Sequence, residues 1–371
     1  MKFGFSSEQD DLRSTVRAFL AAKSPESEVR RLMATEDGYD PLVWKQMAGQ
    51  LGLHGLAIPE QYGGSGFSAV EQGIVFEEMG RAALGGPFFA SVALASAVLL
   101  CSDDEDAKQR YLPGIAAGDV IGTVALVEPG GSWDPDAVTM TALAHGSGYR
   151  LDGTKLYVID GHNADVVFVA ARVDGALSVL AVAGHAEGLV RVPLTTLDQT
   201  RKQTRLEFDN VEAHLVGRIG DGAEVFARAG DLAVVALAAE QVGGAQRVLE
   251  GTVEYAKVRV QFGRPIGSFQ AVKHKCADML LEVETAKSAA YYASWAAAEA
   301  PDELPVVAPM AKSYCSEAFM RCAADTIQVH GGIGFTWEHF AHIYFKRAKS
   351  SELMFGDPAY HRKVLANRLA V

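Results

Sequence analysis

The hydrophobic period of this chain changes twice, and that double change restricts its fold more than any other feature. The spacing is helical to about residue 117, alternating through the middle, and helical again to the end. Near the start, Ser6-x-x-Gln9 has the form of a capping box, and Leu12, Val16, Phe19 and Leu20 then fall on one helical stripe. Further helical patterns lie within Val43 to Leu53 and Val70 to Arg81, and the apolar segment Phe88 to Leu100 predicts a buried helix. From about Asp119 the pattern changes. Val166 to Ala171, the turn Asp174-Gly175 and Leu177 to Val182 predict a hairpin, because Asp-Gly favours the turn that matches strand twist. Leu206 to Val211 alternates as a half-buried strand does. Ala-rich helical stretches then run over Ala229 to Tyr255, Phe269 to Ala298 and Val306 to His330; helices this long, joined by short connections, pack as an antiparallel bundle. The expected fold is mainly α with a middle β domain: a helical domain over 1–118, a β domain over 119–222 and a helical bundle over 223–371.

Charge and apolar run length narrow the function. A net charge of -12 argues against nucleic acid or an anionic membrane as partner, since a polyanion is not drawn to such a surface. No apolar run approaches the twenty or so residues that span a bilayer, and the start turns polar and acidic after five residues, unlike a signal peptide. A cytoplasmic location is expected. Cys101, Cys276, Cys315 and Cys322 lack the spacing of a redox pair or a metal site, so no metal is expected; Cys315 and Cys322 share a helix face as small buried residues.

Chemistry is concentrated in two segments of the last third. In Arg259-Val-Gln-Phe-Gly-Arg-Pro-Ile-Gly-Ser-Phe-Gln270, Arg259 supplies a permanently charged planar fork suited to phosphate. In Gln328-Val-His-Gly-Gly-Ile-Gly-Phe335, the glycines let backbone approach a bulky ligand. Together they suggest a cofactor bearing a diphosphate. No strand leads into Gly-x-Gly-x-x-Gly and a helix, so a Rossmann-type site is not what holds it.

These two segments, in this order, resemble the acyl-CoA dehydrogenase family, and the resemblance covers nearly the whole chain. Trp44 to Gly64, ending Pro59-Glu-Gln-Tyr-Gly-Gly64, is similar to the family's N-terminal helix and following loop, and Glu77-Glu-Met-Gly80 to the helix after it. Tyr111 to Gly118 stands at the passage to the β domain, and Glu128-Pro-Gly-Gly-Ser132 and Gly153 to Gly161 resemble its two flavin-facing segments. The resemblance implies an N-terminal helical domain, a β-barrel-like middle domain and a C-terminal four-helix bundle. It also implies FAD, an acyl-CoA substrate and an electron-transferring flavoprotein as partner. In the family each chain donates one set of contacts to a neighbour's FAD. That set corresponds here to Arg259 at the diphosphate, with Gln261 and Phe262 also cofactor-binding in the same motif, and to Gln270, Gln328, Gly331 and Gly332 at the adenosine end, and all are present.

The set that serves a chain's own flavin and substrate departs from the family pattern. Val127 stands where the family has a threonine, Trp133 over a serine, and Ile159 where a hydroxyl faces flavin N5. Ile159 has no donor. Abstraction of an α-proton needs a carboxylate within hydrogen-bond reach, yet Phe355 occupies the usual position and Ala233-Val234 the alternative one. No residue of this chain is therefore expected to be catalytic. The expectation is a flavin-completing subunit of a heteromeric enzyme, resembling the α2β2 acyl-CoA dehydrogenases of some actinobacteria, with the base on a homologous partner. Two alternatives stay open: a self-sufficient homotetramer with Asp357 or Glu240 as displaced base, and a non-enzymatic scaffold of the same fold. Gly-Asp-Pro around Asp357 reads first as a turn and cap, and Glu240 as a helix-face contact.

Overall fold

The computed structural model describes residues 4–370. In chain order the helices and strands are α1 Ser7–Lys23, α2 Glu26–Met33, α3 Pro41–Gly49, α4 Ala69–Arg81, α5 Ser96–Cys101, α6 Glu105–Ala116, β1 Gly122–Ala125, β2 Thr141–His145, β3 Gly148–Ile159, β4 Val166–Val173, β5 Ala176–Ala183, β6 Leu189–Pro193 and β7 Gln203–Val216. They are followed by α7 Gly222–Val258, β8 Val260–Gln261, β9 Arg264–Pro265, α8 Gln270–Glu299, α9 Leu304–His330, α10 Ala341–Leu353 and α11 Pro358–Arg368. The chain divides into two compact units. One comprises the described residues up to Arg30, Ala69–Leu84 and the described residues from Val234; the other comprises Arg31–Ser68 and Gly85–Ala233.

The second unit is built on a closed barrel. Strand β4 pairs antiparallel with β5, β5 with β7, β7 with β3 and β3 with β2, and β2 returns to the end of β4 in parallel. β1 continues along the edge of β4 that β2 uses, from Gly122 opposite Val166 to Ala125 opposite Val169, so closure leaves few open edges. The β4–β5 hairpin turns at Asp174 (φ 50) and Gly175 (φ 83), the two left-handed residues that an Asp-Gly turn requires. Phe168, Ala170, Val179 and Ala181 meet Leu99, Leu112 and Ile115 in one buried cluster, each large side chain stabilising the fold by about 1.5–3 kcal/mol. Asp104 starts α6 by accepting the Ala107 N–H at 2.8 Å, as Asp40 accepts the Leu42 N–H at 2.8 Å for α3.

One helix differs from its sequence reading. Phe88 to Leu100 is buried and helical, but Phe89–Ala95 is wound as a π-helix before α5 begins. The Ser91 carbonyl accepts both the Ser96 N–H and the Ser96 hydroxyl, the latter at 3.0 Å. Meanwhile Ser91 Oγ accepts the Gly122 N–H at 3.0 Å, so the wider turn serves contact with β1.

In the first unit the capping box holds as written: Gln9 N–H donates to Ser6 Oγ at 3.3 Å and Ser6 N–H to Gln9 Oε1 at 2.9 Å. Long helices α7, α8 and α9 pack with α1, α4, α10 and α11. α4 and α7 approach so closely that a Cβ on Gly243 would stand 1.7 Å from the Glu77 carbonyl oxygen, and one on Gly80 would stand 1.9 Å from that of Glu240. Only glycine permits this separation. Met279, Val283, Phe319, Cys322 and Val248 form the core between the long helices. Burial pushes the Cys315 and Cys322 thiols up to about 12, in keeping with small packed residues. No described helix is long and apolar enough to cross a membrane, and no group of acidic, histidine or cysteine side chains among the described residues is arranged to hold a metal ion.

Candidate functional site

The seven candidate cofactor residues lie in the first unit, and all seven are exposed or partly so. Arg259 follows the last turn of α7 at the head of a small hairpin. β8 and β9 pair through Gln261 and Arg264, and Phe262 (φ 51) and Gly263 (φ 78) form the turn. The turn throws Phe262 outward with 92% of its surface open, while Phe269 holds the hairpin from below through an edge contact with Phe262 at 6.0 Å and beneath the Arg264 guanidinium at 4.1 Å. Gln261 spends one donor on its neighbour, the Val260 carbonyl, at 2.9 Å. Gln270 is the first residue of α8. Gln328 is in the last turn of α9, and Gly331 (φ 63) and Gly332 follow it with open space where a side chain would point.

The side chains of Arg259, Gln270 and Gln328 make no hydrogen bond or ion pair with another described residue. An unpaired guanidinium, two unpaired carboxamides and two bare glycines are the donors and the clearance that a diphosphate and a purine need. This donor set fits a flavin dinucleotide.

The middle-domain segments have the opposite character. Val127 and Ile159 are each only 1% exposed, and neither side chain has a polar atom. Backbone bonds join the two segments, Leu156 N–H to the Val127 carbonyl at 2.8 Å, and the Thr123 hydroxyl donates to the Ile159 carbonyl at 2.6 Å. The register of β3 against β7 shifts between Lys155 and Val158, with Tyr157 at φ 55, so a bulge aims this segment. Beneath it Lys155, wholly buried, donates to Glu128 Oε1 at 2.9 Å and to the Leu126 carbonyl at 3.1 Å. Burial, opposed by Glu128, lowers Lys155 to about 8. Burial acts to raise Glu128, but bonds from Lys155, Thr139 and the Met140 N–H outweigh it and take Glu128 down to about 2. Pattern reading missed this pair, because two charges 27 residues apart carry no local signal.

The position expected for the base from the sequence holds an apolar side chain. Phe355 occupies a left-handed backbone position (φ 61), followed by Gly356 (φ 103). The loop is clamped from inside: Lys312 Nζ donates to the carbonyls of Glu352 at 3.0 Å and Gly356 at 3.2 Å and to Ser316 Oγ at 2.9 Å, and His361 Nε2 meets the Phe355 carbonyl at 3.0 Å. Burial lowers Lys312 to about 7 and His361 to about 3, so the histidine is neutral here. Sequence reading did not single out Lys312; a lysine in an Ala-rich helix looks like a solvated face. Asp357 caps α11, accepting the Tyr360 N–H at 2.7 Å, and Glu240 is buried against Arg347 with an Oε1–Nε distance of 3.0 Å. Asp357 is thus the cap that its sequence context suggested, while Glu240 makes a contact from its helix that is buried, which the sequence did not show.

Comparison with known proteins covers both ends of the chain. The profile "Acyl-CoA dehydrogenase, N-terminal domain" matches residues 6–119 and "Acyl-CoA dehydrogenase, C-terminal domain" matches residues 220–370. The acyl-CoA dehydrogenase IpdE2 of Mycobacterium tuberculosis is 36% identical over 95% of this chain and 94% of its own length. Among solved structures, a chain of the ChsE4–ChsE5 complex from Mycobacterium tuberculosis superposes with a TM-score of 0.91 at 31% identity, covering 100% of this chain and 99% of that one. A chain from a variant of the Tcur3481–Tcur3483 steroid ACAD gives 0.89 at 30% identity over 98% of each chain.

Proposed function

The chain belongs to the acyl-CoA dehydrogenase family, and from that membership we propose that it is the flavin-completing subunit of a heteromeric enzyme whose proton-abstracting carboxylate lies on a homologous partner, as an α2β2 assembly. Family members are FAD-dependent flavoproteins, and FAD, when bound, supplies the acceptor for the hydride removed in α,β-dehydrogenation of an acyl-CoA thioester.

One contrast carries the reading: unpaired donors at Arg259, Gln270 and Gln328 on the surface, against donorless Val127 and Ile159 and the apolar Phe355 in the segments that would serve this chain's own flavin. In this role Arg259 would hold the diphosphate of the partner's cofactor, its planar fork being suited to phosphate, and Gln270 and Gln328 would hold its adenosine end beside Gly331 and Gly332. Gln261 and Phe262 would add to this from the hairpin, where an aromatic ring 92% exposed in the chain alone gains most from being covered. Val127 and Ile159 keep water out without orienting anything. Phe355 has no proton to move.

The complex formed by ChsE4 with ChsE5 and the steroid substrate class named for Tcur3481–Tcur3483 support a partner chain and a lipid or steroid acyl-CoA. An electron-transferring flavoprotein is the expected electron acceptor, and the cytoplasm the expected location. Co-expression with each homologue encoded nearby, followed by the absorbance spectrum of what co-purifies, tests the proposal. The chain alone should be colourless and a two-chain complex yellow, bleaching with an acyl-CoA. A chain that purifies alone with stoichiometric flavin and bleaches by itself overturns it.

A further inference from the structure

We propose that a cavity of about 400 Å³ in the first unit, walled by residues of α1, α2, α4, α7 and α10, binds a free carboxylate carried on an apolar body. None of its lining residues belongs to the flavin set, so the inference is independent of the function proposed above. Three guanidiniums from three helices face it: Arg17, Arg81 and Arg247. Arg17 is committed to Glu78, through Nε at 2.8 Å and Nη2 at 2.7 Å. Arg81 gives Nη2 to Glu250 at 2.5 Å, but its Nη1 is buried and has no partner among the described residues. Arg247 lies over the Phe340 ring at 4.9 Å and forms no ion pair with any described residue.

The two acids of the lining are already matched. Glu78 is held by Arg17 and by Arg13 at 3.2 Å, and Glu26 by Arg30 at 2.6 Å. What remains unneutralised in the lining is the Arg247 guanidinium. A carboxylate carries one negative charge and two acceptor oxygens, which matches its charge and its paired N–H donors. A phosphate dianion would exceed the available charge and crowd Glu26 and Glu78. The Tyr344 hydroxyl is no competitor, since it already donates to the Arg81 carbonyl at 2.5 Å. Most of the remaining wall is apolar, from Leu20, Val29, Ala82 and Ile343 with the Phe340 ring, and the volume lies in the range of small-molecule sites. Water alone would satisfy the donors and leave that wall wetted; an aliphatic acid satisfies both.

Calorimetric titration of the full chain with sodium octanoate tests this. One saturable site per chain is expected, weakened at least about tenfold by Arg247→Ala, which removes about 1.4 kcal/mol of binding. Ala21→Phe, at the exposed rim, fills the space with the arginines intact and should abolish binding; it carries the test if Arg247→Ala fails to fold. 1-Octanol, with the same chain and no charge, should bind at least about tenfold more weakly. No saturable binding by the parent, or octanoate affinity unchanged in Ala21→Phe, overturns the proposal, as does inorganic phosphate binding as tightly as octanoate.

Discussion

Lys155 Nζ stands 2.9 Å from Glu128 Oε1 with Lys155 fully buried, so the two segments of the barrel unit that resemble flavin-facing loops are joined from beneath by one charge pair.

Breaking that pair should cost more than its net worth, because it strands a buried ammonium. Glu128→Gln is expected to lower unfolding free energy at pH 7 by about 3 kcal/mol, read by urea denaturation. The sign with pH follows from the depressed carboxyl. The unfolded chain binds the proton more tightly, so the stabilisation is complete above the ordinary carboxylate range and is lost as pH falls towards about 2. The gap between parent and Glu128→Gln should therefore close in acid; a gap constant from neutral pH to pH 2 contradicts the assignment.

Lys312 titrates in the other direction. Its folded value, about 7, lies below that of an unfolded lysine, so the unfolded state binds more protons between there and the ordinary lysine value, and stability rises with pH in that window. The stability of the parent minus that of Lys312→Met should grow by about 1 kcal/mol per pH unit from neutrality towards pH 10. A flat difference would show that the ammonium is not desolvated as the fold implies.

Arg259→Lys in the assembled complex should weaken flavin retention about tenfold, since a lysine point charge cannot reproduce two parallel phosphate contacts. Flavin content after extensive dialysis measures this. Thermal stability of the chain alone should stay unchanged, because Arg259 forms no side-chain ion pair or hydrogen bond with any described residue.

Asp357→Asn separates a cap from a base. Asparagine caps helices as well as aspartate, so stability should change by less than about 0.5 kcal/mol and turnover of the complex should stay within about twofold. Loss of α-proton exchange in an acyl-CoA substrate, with flavin and assembly intact, would make this subunit catalytic.

Much of this was legible in the chain before any fold was seen. The capping box at Ser6, the Asp-Gly hairpin at Asp174 and the extents of α8 and α9 rest on local rules, in which each residue's neighbours in sequence are its neighbours in space. The absence of a carboxylate at Phe355 and of donors at Val127 and Ile159 is equally local, because a side chain without a polar atom has none in any fold.

The tertiary structure decided which charges matter. Nothing in the sequence marks Lys155, Lys312, Glu240 or Arg347 as different from surface charges, yet each is buried, and each is set against a partner 27 to 107 residues away. Nor does it tell that Gly80 and Gly243 admit one helix against another, or that Arg17, Arg81 and Arg247 meet at one cavity while only Arg247 lacks an acid. Local pattern determines where helices and strands form, because hydrophobic period and caps act over a few residues. Burial, and with it the strength of every charge interaction, is set by which distant segments exclude water together.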